Sequence, residues 1–390
     1  MTRCGRRIVV LGMMSKMPVG GVVWQTLHYL VGLERLGYEV YYVEAHARTP
    51  SMFMDRPEND GSRHAAALID RVLGRVGLGD RWAFQALHAD GACFGMSEHR
   101  IGDLYDSAAL IINLHGGTMP RPEHAATGRL VYLETDPVQV QAEIAEQRPE
   151  ALEFLDAHVA WFTFGESYGT PACGLATSER YPFQPTRQPV VLDFWKDGQR
   201  PSPSIFATVG NWRQHWRQVS VGGEVYHWSK DLEWERFLEL PRLTGQAFEL
   251  ALSSYTPADE ELLHAAGWHV VAALPFTRDA DRYREYILGS RGEFTVAKDQ
   301  NVRLRSGWFS DRSATYLAAG RPVVTQDTGF GEHLPTGEGL FAVSDVEEAA
   351  EAVERVNADY ERHARAAEEI AREHFDSDRV LRDLLDRAGV

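Results

Sequence analysis

Residues able to move a proton gather where apolar runs end. His115 follows an aliphatic run in Leu114-His115-Gly116-Gly117. Glu134 and Asp136 close another in Leu133-Glu134-Thr135-Asp136-Pro137, and Glu166 closes a third in Phe162-Thr163-Phe164-Gly165-Glu166. A histidine or carboxylate at such a position can take a proton from a hydroxyl. Each also has a plainer reading. A lone histidine is often structural, and Asp before Pro is a common helix start, so Asp136 reads equally as a cap.

A second group has the residue types that hold an anion (Lys, Arg, Ser) or bond to hydroxyl groups (Glu293, Gln326, Asp327). Glu293 and Lys298 flank one apolar run, Ser310-Asp311-Arg312-Ser313 precedes a helix-like stretch, and Gln326-Asp327 ends the next strand. The spacing predicts a helix from Ser310 or Asp311 to Ala319, ended by Gly320. Its first turn offers unpaired N–H groups and a partial positive charge, and Arg312 adds a guanidinium suited to phosphate. Asp311 fits there as the cap. Gly210, Asn211 and Arg213 follow a separate apolar strand and suit either a diphosphate contact or a plain turn. Gly20 and Gly21 end the loop after the first strand, where backbone N–H groups can approach a ligand. That loop is no GxGxxG fingerprint, and no acidic residue follows at the spacing a dinucleotide ribose requires.

These residues need two sets of strands to position them. Runs at Arg7–Gly12, Glu39–Glu44, Ala109–Asn113, Leu130–Glu134 and Val159–Phe164 predict one sheet. Ile205–Val209, Phe248–Leu252, Val270–Ala273, Phe294–Ala297, Val323–Thr325 and Leu340–Val343 predict a second. Several are continuously apolar, as in parallel strands buried on both faces. Val23, Leu27, Leu30 and Val31 recur at helical spacing, with Gly37 at the C-cap. Residues 181–203 hold five prolines and read as the domain connection. Ser344 to Glu347 has capping-box spacing before a helical run to about His374, and a last helix covers Asp378–Arg387. Residues 55–102 are helix-like but poorly patterned.

The 390 residues suit two domains at roughly 100–200 residues each. A formal charge of −16 argues against a nucleic-acid or anionic-membrane partner, while leaving room for a local basic pocket. Three scattered cysteines, Cys4, Cys93 and Cys173, suit a reducing cytoplasm and no structural zinc. No apolar run reaches the ~20 residues needed to span a bilayer. Ile8–Met14 reads as a strand and not a signal peptide.

The stretch from Arg312 through Gly320-Arg321-Pro322 to Asp327 resembles the donor-binding helix and strand of GT-B-fold glycosyltransferases. The segments Leu-Glu-Thr-Asp-Pro, Phe-Thr-Phe-Gly-Glu, Pro-Thr-Arg-Gln-Pro and Gly-Trp-Phe-Ser-Asp-Arg are similar to bacterial proteins labelled as glycosyltransferases. The resemblance implies an α/β fold of two Rossmann-like domains facing a cleft. Residues 1–195 would hold the acceptor, residues 196–375 the nucleotide-sugar donor, and the helix of residues 376–390 would cross back to the first domain. It implies transfer of a hexosyl or pentosyl group to a small-molecule acceptor such as a secondary metabolite; a helix end with basic side chains, and no DxD-type aspartate pair, suits a reaction without a metal or resident cofactor. Asp136, His115 and Glu166 are then the catalytic candidates. Gly210, Asn211, Arg213, Glu293, Lys298, Ser310–Ser313, Gln326 and Asp327 are the donor candidates, with Gly20 and Gly21 in the cleft loop. Two departures leave the stereochemical outcome open. Thr315 stands where many retaining members have glutamate, and the first loop carries Ser15 and Lys16 where many inverting members have histidine. An epimerase or hydrolase acting on a nucleotide sugar, or a non-catalytic binding protein, would share these features. The sequence sets no oligomeric state.

Overall fold

The computed structural model describes residues 6–45, 61–87, 89–196, 204–215 and 217–390. Cys4, residues 55–60 and the connector prolines Pro201 and Pro203 lie outside them.

The first half is built on β1 (Arg7–Leu11), β2 (Glu39–Ala45), β3 (Trp82–Gln85), β4 (Cys93–Gly95), β5 (Ala108–Leu114), β6 (Leu130–Glu134), β7 (Ala160–Thr163) and β8 (Gln184–Pro185). They form one sheet in the order β4-β3-β2-β1-β5-β6-β7-β8, parallel except for the antiparallel β3–β4 pair. On β1, Ile8 and Val10 pack into one apolar cluster and Val9 and Leu11 into another, on the opposite face. All four are fully buried, each contributing about 1.5–3 kcal/mol of burial free energy. That two-sided burial is why the run has no polar alternation. Residues 61–107 are not simply helical. Helices Ser62–Gly74 and Glu98–Ser107 flank β3 and β4, which are too short for a strand period to stand out.

The second half contains β9 (Ile205–Asn211), β10 (Gln218–Val221), β11 (Glu224–His227), β12 (Ala247–Ser253), β13 (His269–Ala272), β14 (Glu293–Thr295), β15 (Val323–Gln326) and β16 (Leu340–Val343). Two parallel sheets, β13-β12-β9 and β14-β15-β16, meet through a bridge between Phe206 and Gly292. In both halves the strand order reverses beside the first strand, β1 or β9. A crevice opens at the carboxyl ends of strands there, the usual ligand position in such sheets. β10 and β11 form a separate antiparallel hairpin.

The chain crosses between halves twice, side by side. The connector folds into a 3-10 turn, Leu192–Phe194, with Trp195 fully buried. Val190 donates to Phe375 O at 2.7 Å, and Ser377 donates to Val190 O at 2.9 Å. The helix Ser377–Arg387 then packs on the first half against Gly20–Arg35. Gly32 permits this approach, since a Cβ there would lie 2.5 Å from Leu381. The helical run before it differs from the expected one. Its cap is Asp345, whose side chain accepts from Glu348 N, one residue beyond the capping box read from spacing. The run also breaks at Asp359, which starts a second helix, Tyr360–His374.

Candidate functional site

A cavity of about 600 Å³ lies between the two sets of strand ends. The first half contributes Met13 and Met17 from the loop after β1, His115 after β5, and Asp136 after β6. The second half contributes Gly210 and Asn211 from β9, Ser253 from β12, Lys298 after β14, and Ser310, Asp311 and Arg312 at the helix Asp311–Ala318.

Asp136 does not cap the helix that follows it. That helix starts at Gln139 with Val138 as its N-cap, held in a left-handed conformation (φ 99°). A positive φ costs a β-branched residue energy, and such strain gathers at functional sites. The strained turn leaves the Asp136 carboxylate to reach across the cavity, where Lys298 Nζ donates to Oδ2. Its Oδ1 has no partner. His115 is also left-handed (φ 63°), and its Nδ1 lies 2.9 Å from Thr135 Oγ1 while Nε2 is unpartnered. Burial pushes this imidazole down to about 4, so it is neutral near pH 7.

Lys298, Lys230, Arg217 and Arg312 all line the cavity. Lys298 Nζ sits 3.2 Å from the centre of the Trp228 ring, and the Arg217 guanidinium carbon sits 3.6 Å from it. Such cation–π contacts hold both charges at the cavity wall. Lys230 donates to Val296 O at 2.7 Å. Burial lowers Lys298 to about 8, against the opposing pull of Asp136. Burial, and then the neighbouring Arg312 and Lys298 charges, lower Lys230 to about 7. Both lysines are therefore cationic below these values and neutral above them. A terminal phosphate, with its last pKa near ~6, keeps its charge from pH 7 to 9. Nucleoside diphosphate affinity is expected to fall about tenfold or more across that range. Calorimetric titration at several pH values tests this; a flat profile would mean the lysines do not meet the phosphates.

Other residues selected from the sequence are mostly engaged within the protein. Arg312 lines the cavity, but its side chain is only 12% exposed and its donors turn into the domain instead of toward a phosphate. Its Nε donates to Glu293, Nη1 to Val209 O and Nη2 to Thr295 Oγ1. Burial works against its charge, yet the Glu293 carboxylate holds it above the ordinary arginine value. Glu293 is fully buried and also accepts from Ser313 and Thr208, so Glu293 and Ser313 face each other inside the domain and not a ligand. Gln326 is buried and donates to Glu233. Asp327 accepts from Gly329 N and pairs with Arg305. Arg213 is held by Asp259 and Asp231, behind Asn211. Glu166 pairs with Arg187, away from the cavity. Gly20 is closed off by Tyr283, where a Cβ would lie 2.4 Å from the Tyr283 Cβ, whereas Gly21 lines the cavity.

Sequence reasoning missed Arg217, Trp228 and Lys230. The signal was available in the polar alternation of residues 218–227, a hairpin that ends in Trp228-Ser229-Lys230. It also missed Glu44, a buried carboxylate at the end of β2. Glu44 accepts from Ser15 N at 2.9 Å and from the Ser15 and Tyr42 hydroxyls, and so anchors the loop after β1. Among the described residues no group of three or more His, Cys, Asp or Glu is placed to hold a metal ion. None of the described helices is long and apolar enough to cross a membrane.

Two Rossmann-like halves around a cleft, with the last helix returned to the first half, are the GT-B fold. Solved structures share it. An alpha-glucosyltransferase (AGT) in complex with UDP superposes with a TM-score of 0.60 at 12% identity, over 98% of this chain and 100% of that one. Another complex of alpha-glucosyltransferase holds UDP and a 13-mer DNA (TM-score 0.60, 13% identity, 98% and 100% coverage). Anabaena HepE in complex with UDP-glucose gives a TM-score of 0.56 at 11% identity, over 98% and 99% of the chains. No family model and no curated protein sequence matches the chain.

Proposed function

We propose that this protein transfers a hexosyl or pentosyl group from a nucleotide diphosphate-sugar to a small-molecule acceptor. Arg217, Lys230 and Lys298, converging on one cavity of a chain with net charge −16, carry this reading. Around a diphosphate they would neutralise the charge that builds on the leaving group. The nucleotides held by the fold's solved relatives, UDP and UDP-glucose, support the same ligand class. On this reading residues 1–195 bind acceptor, residues 196–375 bind donor, and residues 376–390 tie the two together. The acceptor hydroxyl oxygen bonds to the anomeric carbon as the bond from that carbon to the diphosphate oxygen breaks. Asp136, or else His115, takes the hydroxyl proton. The overall negative charge and three isolated cysteines favour a cytoplasmic protein that does not act on nucleic acid.

Incubation with a panel of nucleotide sugars tests the reading. Nucleoside diphosphate release that requires an acceptor supports it. Release or isomerisation without acceptor points to a hydrolase or epimerase, and binding with no turnover sinks catalysis altogether. Because lysines and arginines supply the counter-charge, chelation with EDTA is expected to leave most of the transfer rate intact. Loss of the rate on chelation, with recovery on adding magnesium or manganese, would show an essential ion.

A further inference from the structure

The two walls of the cavity differ in charge. Its lysines and arginines, Arg217, Lys230, Lys298 and Arg312, all belong to the second half. Among the described residues no lysine or arginine of the first half lines it. That wall presents Met13, Met17, Val19, Val22 and Val140 around Asp136, with Gln25, His115, Thr135 and Gln139 among its uncharged polar members. The reason is local. Ser15 turns its N–H and hydroxyl inward to Glu44, so the loop's polar groups are spent within the fold and its methionines line the cavity. Lys16, the cation of this loop, is exposed and outside the lining.

From this asymmetry we infer that the acceptor is an uncharged hydroxy compound with an apolar, ring-sized body. It lies against Met13, Met17 and Val22 with its hydroxyl at Asp136, and it is neither a phosphorylated sugar nor a nucleic acid. The inference rests on the sugar-transfer reading. Once the donor diphosphate occupies the cations, an acceptor phosphate would be left beside Asp136 and a wall with no cation, losing water without a counter-charge. An apolar ring gains about 25 cal/mol per Å² of surface buried there, and flexible methionines adapt to its shape.

The test uses binding, not transfer. The full chain, saturated with UDP, is titrated at pH 6.5 with 4-methylumbelliferone, with glucose 6-phosphate and with a short DNA duplex. The expected order is 4-methylumbelliferone tighter than either of the others by about tenfold or more, about 1.4 kcal/mol. Met17→Lys should weaken it about tenfold, a similar free-energy change. Met17→Leu should preserve it. Tighter glucose 6-phosphate or DNA binding, no 4-methylumbelliferone binding, or indifference to Met17→Lys each overturns the inference. Failure of the parent reading looks different: 4-methylumbelliferone binds at Met17, but no nucleotide sugar is ever turned over.

Discussion

Asp136→Asn is expected to slow sugar transfer by about 100-fold or more while tightening nucleoside diphosphate binding several-fold. The rate falls because asparagine cannot take the acceptor proton, a contribution of roughly 10²–10⁴-fold. Binding improves because Asp136 now competes with the incoming diphosphate for the Lys298 ammonium. The Asp136 side chain is 31% exposed, so asparagine can keep its remaining contacts with water and the protein stays folded. Lys298→Met should do the reverse to the nucleotide and weaken it. Steady-state kinetics and calorimetry on both variants separate the two effects. Near-normal turnover in Asp136→Asn would shift the proton to His115 or remove the side-chain base. Weaker nucleotide binding in that variant would show that the ion pair helps build the phosphate site.

The second large effect concerns the fold. Arg312→Ala is expected to destabilise the protein by about 3–5 kcal/mol, the range for leaving one member of a buried ion pair without its partner. Glu293 is fully buried and would lose its guanidinium, and Val209 O and Thr295 Oγ1 would each lose a hydrogen bond. Because Val209 precedes Gly210 and Asn211 in the cavity wall, nucleotide affinity should fall as well. Glu293→Gln added to Arg312→Ala should recover part of the stability, since the uncompensated charge is gone. Chemical denaturation of the wild type, both single variants and the double variant measures the coupling. A loss below about 1 kcal/mol for Arg312→Ala would place this arginine among ordinary surface ion pairs.

The parallel strands were legible because burial on both faces demands continuous apolar runs, as in β1 and β5. The hairpin β10–β11 was not, since much of it is exposed and polar, with residues such as Gln218 and Glu224 at the surface. Strand-end positions pointed to the cavity because topology alone puts them there, and Asp136, His115 and Lys298 do line it. What the side chains bond to was hidden. An arginine in a first helical turn reads as a phosphate ligand until its carboxylate partner, Glu293, is located on the neighbouring strand. Arg213 is similar, with partners at Asp231 and Asp259 that no local spacing announces. Glu166 is similar again, since its partner Arg187 lies 21 residues away.

The paired crossings at Val190 and Asp376 have a mechanical consequence. Two covalent links, hydrogen-bonded to one another, act as a two-pin hinge. They resist sliding and twisting of one half against the other, so any rotation between the halves has its axis near the pins. Displacement then grows with distance from Val190, so a small angular change produces little shear at the pins and more movement at the Asp136–Lys298 contact.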